Sequence, residues 1–257
     1  MTFLSDIGAV VIQSFRGAGQ IAIFAARAIT SIVTAPFYWR AVIASLFRIG
    51  FTSLPVVGLT AIFTGGALAL NIYEGSILPN TESFLPQILG VSIVRELGPV
   101  LAALMVAGRC ASAMAAEIGT MRVTEQIDAM ATLSVDPFKY LIAPRIIATT
   151  LALPFLVLIA DVIGVYGGYL VAVFALNHSP PLYIQNLVDF VSAEDVISGL
   201  IKAGVFGFLI ALMGCFYGFM SRGGAGGVGA ATRTAVVAAA VSILSANYIL
   251  TSLFVEI

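Results

Sequence analysis

Residues 95–137 read RELGPVLAALMVAGRCASAMAAEIGTMRVTEQIDAMATLSVDP. The stretch opens on adjacent ionisable residues, Arg95 and Glu96, at the head of an apolar run. It closes on a charged segment, Glu117 to Asp136, that a hydrocarbon phase cannot hold. An apolar run of this length crosses the roughly 30 Å core of a bilayer, for which about 20 residues suffice. Ionisable groups inside such a run face a cavity or a partner helix and suggest function by default. One helix therefore links a polar element within the membrane to a surface in water.

The rest of the chain agrees. Of 257 residues, 60% are hydrophobic and 10% charged, and the mean hydropathy is +1.06. Soluble domains carry about 25% charged residues, so the composition predicts a polytopic membrane protein. A net charge of −1 gives a nucleic-acid partner no support. Cys110 and Cys215 lie in apolar helical runs and read as buried free thiols. Asp6 interrupts the first apolar residues and no basic stretch precedes them, so the N-terminus does not read as a cleaved signal.

The predicted fold is an all-α integral membrane protein, with N-terminal interfacial helices followed by five transmembrane helices. Residues 1–49 form the amphipathic part and residues 50–257 a five-span membrane domain. Over residues 3–34, Asp6, Gln13, Arg16, Gln20, Arg27, Ser31 and Thr34 fall within an arc of about 80° at helical spacing, opposite Ile7, Val11, Phe15, Ala22, Ile29 and Val33. Phe24 falls on the polar arc and breaks the pattern. Residues 37–49, with Trp39, Arg40 and Arg48, read as a second interfacial helix. Spans are expected near 50–73, 85–116, 141–176, 196–220 and 233–255. Pro55, Pro99 and Pro154 fall inside them, where packed neighbours can satisfy the freed backbone groups.

Segments 73–94 and 175–197 contain no Lys or Arg. The N-terminal region, the middle loop with Arg122, Lys139 and Arg145, and the loop at 221–233 with Arg222 and Arg233 hold the cations. The positive-inside rule makes those three regions cytoplasmic and puts the C-terminus on the far side. The Gly-rich run Gly223–Gly229 reads as a flexible loop. No GxxxxGK[ST] occurs, so the chain does not bind ATP by a Walker loop, and no metal-ligand spacing or nucleophile–base arrangement supports an enzyme.

Neighbouring helical residues point about 100° apart, so Arg95 and Glu96 need not bind each other. Arg109 is expected near the cytoplasmic headgroups, snorkelling or paired with Glu117. Glu117, Arg122, Glu125, Gln126 and Asp128 alternate with Ile118, Met121, Ile127 and Met130, a short amphipathic pattern suited to a protein partner. Asp161 stands in the third span as a hydrogen-bonded packing group or an ion relay. Lys202 lies near the outer end of the fourth span, within reach of headgroups or Glu96. His178 reads as a solvated loop residue.

RELGPVLAALMVAGR (95–109), AEIGTMRVTEQIDAM (116–130), VDP (135–137), PR (144–145) and ATRT (231–234) together resemble the MlaE/YrbE-type permeases of MCE-associated ABC transporters, over nearly the whole chain. The resemblance implies a homodimer in the bacterial inner membrane, with the N-terminus cytoplasmic and the C-terminus periplasmic. It implies a cytoplasmic ABC ATPase that binds the ATP, a periplasmic MCE-domain protein, a STAS-domain protein on the ATPase, and a phospholipid cargo moved for outer-membrane lipid homeostasis. No cofactor is implied for the chain itself. Carried onto this sequence, residues 117–130 become a coupling helix, with Glu117, Met121, Arg122, Glu125, Asp128 and Met130 facing the ATPase. Arg95, Glu96 and Leu97 fall by the lipid pocket, and Leu68, Asn71 and Ile72 are its expected apolar wall. Two departures from the family pattern are the broken outer end of the first span (Glu74-Gly75, Pro79, Pro86) and the Gly-rich last cytoplasmic loop. The rival expectations are an ion-gradient-coupled secondary transporter using Asp161 and Glu96, and a scaffold that anchors other subunits.

Overall fold

The computed structural model describes residues 2–34, 36–75 and 81–255, with side chains at 12, 15–34, 36–75 and 83–254. Pro79, Asp6, Ile7, Val11 and Gln13 of the expected patterns, and the last two residues, lie outside the described backbone or side chains. Among the described residues every regular element is helical. Five helical runs are long and apolar enough to cross a membrane: Trp39–Gly75, Ser83–Val123, Phe138–Ala175, Ala193–Phe219 and Gly224–Phe254.

Helix α1 (Thr2–Val33) has three faces where the sequence suggested two. Phe24, Ala28 and Ser31 are buried against the bundle. Phe15, Ile29 and Val33 are exposed and apolar, while Arg16, Gln20 and Arg27 form a separate exposed polar strip. Phe24, out of place in a purely interfacial helix, is the anchor. Its ring meets Phe138, Phe216 and Phe219 at centroid distances of 5.1, 5.4 and 5.8 Å.

Residues 37–49 do not form a separate interfacial helix. From Trp39 onward they are the start of one continuous helix, α2 (Trp39–Gly75). Val42, Ile49, Ser53 and Val57 are buried at helical spacing straight through the expected boundary, so packing holds a single helix together where the headgroup residues suggested two. At 37 residues it is about 55 Å long, well beyond the hydrocarbon core.

The second span is built from α3 (Thr81–Ser92), α4 (Gly98–Val106) and α5 (Ser112–Val123), joined by π-helical turns at Ile93–Leu97 and Ala107–Ala111. Such turns arise where one residue bulges from the ladder, and they re-aim side chains at functional positions. The first carries Arg95 and Glu96, the second Arg109. The chain then breaks at Thr124 and Glu125, and α6 (Gln126–Thr132) follows. The expected single coupling helix over 117–130 is therefore a helix end, a turn and a short second helix. Glu125 adopts a left-handed φ of 61°, which no continuous α-helix allows.

The third span centres on α7 (Ala143–Leu170) and crosses α2 with their backbones in contact. A Cβ on Gly65 would stand 1.8 Å from the Gly164 carbonyl oxygen, so only glycine permits this approach in lipid. The outer segment expected as loop contains α8 (Pro180–Phe190), started by prolines in its first turn. His178 is buried there, edge-on to Tyr73, and is not solvated. Helices α9 (Ala193–Phe219) and α10 (Gly224–Val255) complete the bundle. The expected loop at 221–233 shrinks to Met220–Gly223, because the glycines from 224 onward are interleaved with alanine and enter α10. The turn itself uses positive φ at Gly223 and Gly224, 86° and 68°. Cys110 and Cys215 are buried and unpaired.

Candidate functional site

Proline at position 99 has no N–H to give the Arg95 carbonyl, its i−4 partner in an α-helix. That freed carbonyl accepts a hydrogen bond from Lys202 Nζ at 3.0 Å. The same ammonium donates to Glu96 Oε1 at 2.6 Å and to Thr251 Oγ1 at 2.8 Å. Glu96 also accepts from Asn247 Nδ2 at 2.9 Å and from the Thr251 hydroxyl at 2.9 Å. The second span, α9 and α10 are thus tied by one charged node inside the apolar bundle. Lys202 keeps only 3% of its side chain exposed, against 38% for Glu96, so the node is sealed on the lysine side and open on the carboxylate side.

Arg95 points elsewhere. Its Nε lies 3.1 Å from Asp195 Oδ1. Asp195 in turn closes a capping box at the head of α9, accepting from the Ser192 backbone N–H at 3.0 Å while Ser192 Oγ accepts from the Asp195 N–H at 3.3 Å. The adjacent residues therefore serve two separate partners, as helical geometry requires.

The other end of the second span is also clasped. Glu117 lies 2.5 Å from Arg48 of α2 and 3.1 Å from Arg145 of α7. Beyond it, Arg122 closes the 124–125 turn with a 2.5 Å bond to Asp128 and stacks over Phe219, 5.6 Å from the ring centroid. Phe219 belongs to the aromatic cluster that holds Phe24. The α5–α6 corner is thereby fastened to α1, α2, α7 and α9. Its outer surface presents Glu125, Asp128 and Leu133, the last 75% exposed.

The model of the Permease MlaE family matches residues 42–253. The chain belongs to that family. A probable ABC transporter permease protein of Rickettsia bellii is 48% identical over 257 residues, covering 100% of this chain and 99% of the relative. The intermembrane phospholipid transport system permease protein MlaE of Haemophilus influenzae is 32% identical over 256 residues, covering 98% and 97%. A probable ABC transporter permease protein of Synechocystis is 38% identical over 219 residues, covering 84% and 82%. This MlaE-family chain is accordingly a multi-pass ABC transporter permease.

Within this MlaE-family chain the residues expected at the lipid pocket have different surroundings. Leu68 and Ile72 pack onto a second core cluster with Leu85, Leu89 and Tyr183. Asn71 is exposed. Leu97 faces α2 beside Gly65 and Gly164, at a void of about 20 Å³. Among the residues expected to face an ATPase, Met121 and Met130 pack against the core, while Glu125 and Asp128 are exposed. Arg109 bonds Ser53 Oγ at 2.8 Å and the Thr52 hydroxyl, and not Glu117. It stands eight residues, about 12 Å, from Glu117 along the helix, which two other guanidinium groups already hold. Sequence reasoning missed Asp195, Asn247, Thr251 and Leu133. Asp195 had a signal in its Ser-x-x-Asp spacing; Asn247 and Thr251 had only their polarity within an apolar run.

Proposed function

We propose that this chain is the membrane permease of an ATP-driven phospholipid transporter in the bacterial inner membrane. It works as a homodimer, with a separate cytoplasmic ABC ATPase docked on the α5–α6 corner. A periplasmic MCE-domain protein continues the lipid path, and a STAS-domain protein binds the ATPase. The N-terminus and the α5–α6 corner are cytoplasmic and the C-terminus is periplasmic. The observation that carries the reading is the second span itself. It holds Glu96 in a charged node within the span and Glu117 in a charged clasp at the cytoplasmic end, about 30 Å away along the same helix.

ATP-driven closure of the ATPase displaces the corner. The displacement travels through Glu117 and its two guanidinium clasps into α2, α5 and α7. The π-helical turns that interrupt the second span supply its points of flexure. At the outer end the half-exposed Glu96 carboxylate and Arg95 guanidinium orient a lipid headgroup at the seam between protomers. The apolar face of α10, with Val237, Val241, Leu244 and Tyr248 exposed, suits that seam. Leu68, Ile72 and Leu97 are the proposed apolar contacts on the first and second spans, and Asn71 is a polar contact beside them.

Membership among ABC transporter permeases leaves the gradient-coupled alternative without support. The test is transfer of labelled phospholipid between proteoliposomes by the purified complex. Glu96→Arg places a cation against Lys202 and is expected to abolish transfer while the ATPase still co-purifies. Unchanged transfer removes Glu96 from the mechanism, and purification without any ATPase in mild detergent overturns the reading.

A further inference from the structure

Three cations stand on the second span, Arg95, Arg109 and Arg122. Arg95 and Arg122 each pair with a carboxylate. Among the described residues no carboxylate pairs with Arg109. Its Nη1 and Nη2 donate to Ser53 Oγ and to the Thr52 hydroxyl. Hydroxyls accept those bonds but bring no charge to offset the cation. A guanidinium has five N–H donors and stays protonated, so part of the fork and the whole charge are left over. Charge within a span is costly and is ordinarily paired. The two bonds also pin the group to α2, four residues or about 6 Å beyond Arg48 along that helix, so it does not swing out to bulk water. The π-helical turn Ala107–Ala111 aims it, and Ser112 Oγ holds that turn by donating to the Gly108 carbonyl at 2.6 Å. The place is open. Thr52 and Gly108 are exposed and Arg109 is half-buried, and a Cβ on Gly108 would meet nothing within 4 Å.

The surface next to the guanidinium is apolar on both helices. On α2, Val56 and Leu59 follow Thr52 at i+4 and i+7, and on the second span Met105 precedes Arg109 at i−4. Those spacings keep each on the face of its cationic or hydroxyl neighbour, and all three are exposed. Arg48 meets Glu117 and Thr52 meets Arg109, so the two helices run antiparallel. Both apolar strips therefore lead the same way, from the cation toward the middle of the span. We propose that Arg109 binds the phosphate of an anionic glycerophospholipid from the leaflet on the Glu117 side, with the acyl chains lying along Met105, Val56 and Leu59. A phosphodiester supplies the missing negative charge and two oxygens for the guanidinium fork. The order of the parts selects a lipid over a free anion, because apolar contact begins one turn from the cation and continues inward. It also selects a headgroup without an ammonium. Glu117, the nearest carboxylate along the span, is about 12 Å away and already holds two guanidinium groups, so an ammonium gains no partner. The site is about 21 Å from Arg95 along the helix.

This site does not depend on the transfer reading. The test uses the full-length permease in nanodiscs of equal phosphatidylglycerol and phosphatidylcholine, with a photoreactive residue in place of Met105. Lipid adducts are identified by mass spectrometry, and phosphatidylglycerol is expected to dominate them. Arg109→Gln is expected to lower the phosphatidylglycerol yield about tenfold, the loss of one charge-assisted contact, and to leave the phosphatidylcholine yield unchanged. Arg109→Lys keeps the charge without the fork and is expected to fall between. Gly108→Leu adds a side chain where the fold has room; it crowds the phosphate and is expected to lower the yield without touching the Arg109 bonds to α2. Inorganic phosphate in millimolar excess is expected not to compete. Equal yields of the two lipids, a yield unchanged by Arg109→Gln or by Gly108→Leu, displacement by inorganic phosphate, or a crosslink to a second copy in place of lipid overturns the proposal. The adduct requires neither ATPase nor transfer, so failure here leaves the transfer reading standing, and failure of transfer leaves this site standing.

Discussion

Lys202→Met removes the ammonium from the charged node while keeping nearly the same side-chain length. Three bonds vanish: those to the Arg95 carbonyl, Glu96 and Thr251. Glu96 keeps the neutral donors Asn247 and Thr251 but loses its only countercharge in the node. Breaking a buried pair from one side costs about 3–5 kcal/mol. The 38% exposure of the Glu96 side chain screens part of that and puts the expected loss at the lower end, about 3 kcal/mol. Glu96→Gln strands a lysine that is only 3% exposed, and its loss is expected nearer the upper end, about 4–5 kcal/mol. The double variant removes both charges and is expected to lose no more than Glu96→Gln alone, giving a coupling of about 3 kcal/mol. Reversible unfolding in mixed micelles, run as a full double-mutant cycle, measures this. A double variant whose loss equals the sum of the singles refutes the node as a coupled unit.

Phe24→Ala empties the centre of the aromatic cluster and is expected to cost about 3 kcal/mol, read as faster hydrogen exchange in α1 and at the 124–125 corner while the transmembrane spans keep their protection. Gly65→Ala drives a methyl into the Gly164 backbone and is expected to prevent stable folding, with loss of monodisperse protein on size exclusion. Glu117→Gln leaves Arg48 and Arg145 facing each other without an acid; transfer per ATP hydrolysed should fall by about tenfold, while the assembled complex still hydrolyses ATP.

The number of spans was legible in the sequence because a bilayer imposes a length on apolar runs, and all five stretches emerge as helices. Pattern reasoning was weaker where packing overrides the solvent boundary. Trp39, Arg40 and Arg48 carry headgroup chemistry, yet the stripe Val42–Ile49–Ser53–Val57 continues one helix through them. Phe24 violated a two-faced pattern because α1 has a third face against protein. The 117–130 segment showed helical spacing, but its spacing cannot reveal a left-handed Glu125 that the Arg122–Asp128 bond helps to close. Arg95 and Glu96 were conspicuous because charge is rare in a span. Their partners were less so: Asn247 and Thr251 lie more than 150 residues further along the chain, and only the packing of α10 brings them to Glu96.

The central claim is that one helix transmits nucleotide state from the α5–α6 corner to a lipid beside Arg95 and Glu96. A photoreactive residue placed at Asn71, which is exposed, or at Leu97 tests it in the purified complex with native lipid. The account predicts a phospholipid adduct identified by mass spectrometry, whose yield changes when a non-hydrolysable ATP analogue locks the ATPase. No adduct at either position, or an adduct whose yield ignores the nucleotide, would contradict it.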